Sequence, residues 1–187
     1  MKSTLSIIFL IVHSLLAVAC LTLFCPETGK AETVKLSENE VKASYLYNFA
    51  KYVEWPAAVF PRENSPLTIC IVGKSPLNEI IESLAGKSIK SRRLVIRQFS
   101  RIEDLSDCNI LFINATVKTS IAQILASAVS RPILTVSDQN GFAAAGGMIE
   151  YVPVGSKIRF KINNRAAQQV NLQISSHLLR LSTTAME

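Results

Sequence analysis

Residues 67–73 read LTICIVG, a run with no charged side chain and a single hydroxyl before the glycine. A segment this short and this apolar is a strand covered on both faces, the kind found in a parallel sheet with helices packed against it. PLNEIIESLAG (76–86) follows as a helix: Ser75 can cap it, Pro76 suits its first turn and Gly86 ends it. LVIRQF (94–99), NILFIN (109–114) and ILTVS (133–137) read as further strands, with a helix VKTSIAQILASAVS (117–130) between the last two. This β-α-β order predicts an α/β fold with a mainly parallel sheet flanked by helices. MIEYV (148–152) and IRFKIN (158–163) alternate around Pro153-Val154-Gly155-Ser156 and predict an antiparallel hairpin at the sheet's edge, for about six strands in all.

Ahead of the first strand, Ser37-Glu38-Asn39-Glu40 forms a capping box, and the helix it opens runs to Pro56. Six of the chain's thirteen aromatic residues lie between Tyr45 and Phe60. Helical spacing puts Val41, Tyr45, Leu46, Phe49, Tyr52 and Val53 on one side, which reads as core, and leaves Tyr47 and Trp55 off that stripe. After the hairpin, Asn164–Gln169 favours a helix. Val170 to Ile174 then alternates with period two, which predicts an extended step before a short last helix capped by Ser175 or Ser176. One continuous helix is the alternative, since Ala167, Val170, Ile174, Leu178 and Leu181 also make a helical stripe.

The amino terminus has a different character. Lys2 precedes an apolar run from Ile7 to Phe24, then CPETGKAE, and Gly29-Lys30-Ala31 offers small residues for cleavage after Ala31. Residues 1–31 are therefore expected to be a secretory signal peptide and 32–187 a single mature domain. An uncleaved anchor and lipidation at Cys20 are the competing readings. Without Lys2, Lys30 and Glu27, 18 basic and 13 acidic residues remain, a net charge of +5. In an exported chain that suits acidic partners or anionic surfaces rather than nucleic acid. Lys87, Lys90, Arg92, Arg93, Arg97 and Arg101 form a run without an acid among them, read as a solvated strand face with its approach loop. Only Cys70 and Cys108 survive cleavage, an even pair in an oxidising compartment, expected to form a disulfide across neighbouring strands; two buried thiols are the alternative.

Catalysis is poorly provided for. His177 is the one histidine of the mature chain, and no CxxC, HExxH, Walker A or GxSxG pattern occurs, so no enzymatic activity, metal or cofactor is expected. Glu54, Asp104, Asp107, Asp138 and Glu150 are the carboxylates that could pair in space, although their spacing does not require it. A small-molecule site has better grounds. If the strands are parallel, the turns after three of them open on one edge, which makes Lys74, Ser75, Asn114, Thr116 and Asp138 candidate ligand-binding residues. Gly146-Gly147 reads as a bulge or sharp lead into a strand rather than a phosphate cradle.

Three blocks, VKASYLYNFAKYVEWP (41–56), ILTVSDQNGFAAAGGMIEYV (133–152) and KIRFKINNRAAQQVNLQISSHLLRLS (157–182), together resemble the YfiR family across essentially the whole mature chain. The resemblance implies a non-catalytic periplasmic α/β domain that binds the periplasmic sensor part of a membrane diguanylate cyclase of the YfiN type and restrains it. It also implies control of cyclic di-GMP and biofilm formation, self-association as a homodimer, and a redox-sensitive disulfide at Cys70 and Cys108. A second cysteine pair, found in some members near GGMIEYV, is missing, so one bridge would carry any redox response. A partner surface of exposed apolar residues rimmed by polar ones points to Glu150, Tyr151 and Arg159 on the hairpin, with Leu172 and Leu179 near the carboxyl end. Tyr47 and Trp55 join them or serve self-association.

Overall fold

The computed structural model describes residues 36–99 and 105–186, with side chains through Thr184. The expected signal peptide, its cleavage site, Cys20, Arg101 and Asp104 lie outside the described residues. The chain opens with α1 (Glu38–Tyr52), whose capping box is complete: Glu40 N–H donates to Ser37 Oγ at 3.3 Å and Ser37 N–H to Glu40 Oε2 at 2.7 Å. Those hydrogen bonds, the one from the Ser37 backbone first, hold the Glu40 carboxyl below its ordinary range.

β1 (Val53–Glu54) and a 3₁₀ turn (Ala57–Val59) lead to β2 (Leu67–Val72), buried at every position as its composition demands. α2 (Leu77–Glu82), β3 (Ser88–Ile89), β4 (Arg92–Phe99), β5 (Ile110–Ile113), α3 (Ile121–Ala128), β6 (Leu134–Ser137), β7 (Ile149–Val154) and β8 (Lys157–Asn163) follow. α4 (Asn164–Gln169), β9 (Gln173–Ile174), α5 (Ser176–Leu181) and β10 (Ala185–Met186) complete the order.

The sheet runs β10-β8-β7-β6-β5-β2-β4-β3, with the five central strands parallel and β7–β8 the antiparallel hairpin. The expected six strands are all present. Two-residue strands extend the sheet at each side, so the hairpin is followed outward by β10, parallel to β8. Pro153 is tolerated in β7 because β6 pairs only with Ile149 and Glu150, leaving no ladder partner there for the missing N–H.

Alternation along the strands divides the core. Leu67, Ile69, Ile71, Phe112, Val136, Tyr151 and Phe160 face the larger cluster under α1, α2, α4 and α5, whereas Cys70, Val72, Leu111 and Ile113 face a smaller one with Leu105, Ile124 and Phe142. Tyr45 and Phe49 meet Phe160 edge-on, each with ring centroids 5.1 Å apart, so the aromatic stripe of α1 is core as its spacing predicts.

The period-two reading of residues 170–174 holds against the continuous helix. Asn163 caps α4, Asn171 takes a positive φ of 59°, β9 pairs antiparallel with β1, and Ser175 caps α5. α2 and α3 are shorter than expected, because Ser120, not residue 117, supplies the cap of α3, and residues 83–86 turn toward Gly86.

Candidate functional site

Three regions carry polar or apolar groups that could do more than fold the chain: the two edges of the parallel strands and the surface made by α1 and α5.

At the carboxyl edge the turns after β2, β5 and β6 meet, as their parallel order requires. Asp138 Oδ1 accepts from Ala115 N–H at 2.7 Å and its Oδ2 receives Lys42 Nζ at 3.1 Å. Thr116 Oγ1 donates to the Lys74 carbonyl at 3.2 Å, and Asn114 Oδ1 accepts from Thr116 N–H at 2.9 Å. Ser75 Oγ lies 3.2 Å from Asn78 Oδ1. Of the five residues expected to hold a ligand here, Thr116 and Asp138 bond across to neighbouring turns, Ser75 and Asn114 bond within their own, and Lys74 is exposed. The turns also touch: Gly73 has φ +96°, and a Cβ there would lie 2.7 Å from Val117 Cγ2. These bonds and contacts tie the three turns to one another. Burial works against the charge on Lys42, but the hydrogen bond with Glu38 and the charge of Asp138 outweigh it and raise the amine's pKa.

Glu150, expected at a partner surface, is instead 1% exposed. Its carboxylate accepts from Gly141 N–H at 3.1 Å and Ala143 N–H at 2.9 Å, with Lys161 Nζ 3.8 Å away. Asn163 Nδ2 donates to the Ala143 carbonyl at 3.2 Å, so β7 and β8 together pin the 139–148 loop. Phe142 from that loop fills the smaller core directly over Gly147, whose position a Cβ could not share; the glycine pair is a close approach, in line with its reading as a non-phosphate feature.

Tyr151 and Leu172 are likewise buried, at 3% and 1% exposure, which corrects their assignment to a partner surface. Tyr151 has an inward position on β7 and donates through its hydroxyl to the Lys42 carbonyl at 2.8 Å; burial pushes its pKa well above the usual phenol range. Leu172 packs into the larger core because the chain steps out of helix just before it. Arg159 is exposed but alternates with Phe160 and so projects from the face opposite α1, away from half-buried Leu179. Those two are not brought together.

Tyr47 and Trp55 are half-buried and engaged. Tyr47 donates to the Ser88 carbonyl at 3.4 Å, with Lys87 Nζ 5.9 Å from its ring centre. Trp55 Nε1 donates to the Asn109 carbonyl at 3.2 Å. Around the carboxyl end of α1 lies a surface of which sequence reasoning named only Leu179 as a partner contact. His177 packs at a tilt of 46° against Tyr52 with ring centroids 5.3 Å apart, and Leu181 is 50% exposed beside Leu179 and Arg180.

The amino edge is built around Asn109. Its side-chain oxygen accepts from Thr68 N–H at 2.7 Å, and its carbonyl takes both Trp55 Nε1 and Leu134 N–H. The Cys70–Cys108 disulfide, with Cα atoms 5.8 Å apart, ties β2 to the turn entering β5. Arg92, expected to be one of a solvated run, instead clasps the 60–65 loop. One of its guanidinium nitrogens donates to the carbonyls of Arg62, Glu63 and Ser65 at 3.2, 2.8 and 2.9 Å, and the group lies 3.9 Å above the Phe60 ring. Lys90 and Arg97 from the same run pair with Glu54 and Asp107. The four described carboxylates of the sequence candidates thus serve four separate partners.

A family model described as YfiR/HmsC-like matches residues 39–183, from the first turn of α1 to just past α5. The chain belongs to the YfiR/HmsC-like family. At family level this is a periplasmic, regulatory and non-catalytic group that acts on diguanylate cyclases. The matched span takes in nearly all of the α/β domain, stopping short of β10, so the YfiR/HmsC-like assignment rests on the sheet from β2 to β8, both cores and the α1–α5 surface together.

Proposed function

We propose that this chain is exported by its amino-terminal signal and, as a homodimer, binds the periplasmic sensor part of an inner-membrane diguanylate cyclase. It holds the enzyme in its inactive arrangement, lowering cyclic di-GMP and biofilm formation. The observation that carries this reading is the family match over residues 39–183, nearly the whole described domain. Restraint needs only tighter binding to the inactive than to the active cyclase. The contact surface we assign is the α1–α5 patch of Tyr52, His177, Leu179 and Leu181, because exposed apolar groups beside polar ones drive association. Arg159 is a second, separate candidate on the other face, and Tyr47 and Trp55 are kept as candidates for self-association or partner contact. The disulfide supports the reading by stabilising the domain in an oxidising compartment.

Copurification of the tagged chain with the membrane cyclase tests it. Leu181→Asp with His177→Ala should weaken capture at least tenfold while leaving the melting temperature within a degree or two. Unchanged capture removes this surface. If deleting the gene leaves cyclic di-GMP unaltered in cells that contain the cyclase, the regulatory reading itself fails.

A further inference from the structure

The amino edge of the sheet contains a cleft of about 800 Å³, lined by the 56–66 loop, the first residues of β2, the side chains of β4 that face the smaller core, and the turns entering β5 and β6. That volume lies within the roughly 300–1,000 Å³ of small-molecule sites. We propose that it binds a small amphipathic organic anion, a carboxylate or sulfonate carried on an apolar body.

Its walls are held before any ligand arrives. Arg92 fixes three carbonyls of the 62–65 stretch, Trp55 and Thr68 are bonded to Asn109, the disulfide anchors Cys108, and four prolines stiffen the lining. A preformed wall spares a ligand the ordering cost that weakens binding to mobile loops.

Charge and polarity select the ligand class. Among the described lining residues, Arg97 and Arg131 face one acid, Asp107, which is already engaged by Arg97 at 2.8 Å. Arg131 has no acidic partner among the described residues, so the lining carries an unspent positive charge. Beside it Ala58, Val59, Val95 and Ile133 present apolar surface. An inorganic anion would leave that surface wet, and a neutral apolar molecule would leave Arg131 unanswered. An anion with an apolar body satisfies both. The site is on the opposite edge from the turns where open α/β folds ordinarily bind ligands, turns that here bond to one another. It stands independently of any cyclase partner.

The test is titration of the purified mature chain with 1-anilinonaphthalene-8-sulfonate, followed by fluorescence, with decanoate and decanol as competitors. We expect one saturable site per chain, displaced by decanoate at least tenfold more effectively than by decanol. Arg131→Gln should weaken the dye about tenfold, and Ala58→Trp, which fills the cleft from an exposed turn, should abolish it. Lys157→Gln, on the distant hairpin turn, should change nothing. Melting curves check folding, and Arg131→Gln, an exposed substitution, decides the matter if Ala58→Trp melts early. Absence of saturable binding, equal affinity in Arg131→Gln and the parent, or decanol matching decanoate overturns the proposal.

Discussion

Replacing Glu150 by alanine tests whether a carboxylate enclosed by the sheet holds the loop that roofs the smaller core. The substitution leaves the N–H groups of Gly141 and Ala143, now bonded at 3.1 and 2.9 Å, without their acceptor. A buried donor deprived of its partner costs about 1–3 kcal/mol. Lys161, 40% exposed and 3.8 Å away, returns to water and adds little. The buried Ala143 amide and the part-buried Gly141 amide, which water can partly serve, together predict a loss of about 2–4 kcal/mol, which in a domain of this size corresponds to a fall of about 10 °C in Tm. Glu150→Gln keeps one acceptor but turns its amide nitrogen toward the second N–H, and should cost about half as much. Urea unfolding followed by circular dichroism measures both, and amide exchange at Gly141 and Ala143 should accelerate selectively. A loss below about 1 kcal/mol for the alanine variant, or a glutamine variant worse than alanine, would refute the reasoning. The outcome also separates this role from a partner contact, which would show as weakened capture without destabilisation.

Three further outcomes follow from the geometry. Replacing Cys70 and Cys108 by alanine should cost about 2–4 kcal/mol by unfolding titration, since the bridge closes a 38-residue separation. The raised pKa of Tyr151 means the folded state retains a proton that the unfolded chain gives up near pH 10, so its contribution is complete below that pH and declines above it. Tyr151→Phe should flatten the alkaline slope of stability while costing about 1 kcal/mol at neutral pH through the lost bond to Lys42. Arg92→Ala should cost about 1–2 kcal/mol, discounted for partial exposure, and make the 62–65 loop protease-sensitive; lysine should not restore it, because a single ammonium lacks the planar reach and the stacking on Phe60.

What could be read in advance was local. The apolar runs of β2, β5 and β6, the capping box at Ser37 and the serine cap of α5 are decided by nearby side chains, and the fold class followed from their order, whereas the cap expected of Ser75 on α2 is not made and that of Ser120 on α3 was not foreseen. The partner-surface residues failed for a different reason. Glu150 reads as polar and outward in an edge strand, but the 139–148 loop folds back over it, and no local pattern records a roof supplied by another segment. Leu172 lies off the stripe of a continuous helix and becomes core once Asn171 breaks it. β1, β3 and β10 are two residues each, too short to show a period. The amino-edge cleft gathers residues from 56 to 133, and only the cluster of prolines between 56 and 66 hinted at a rigid loop there.

The pairing of Val53 and Glu54 with Ile174 and Gln173 sets an order of events for the polypeptide. α1 emerges first from the ribosome, yet the segment that latches its carboxyl end is made some 120 residues later, and closing so long a loop is slow. Until Gln173 and Ile174 are present this latch cannot close, and a premature stop after Asn171 should leave a protease-labile product although almost the entire sheet has been synthesised.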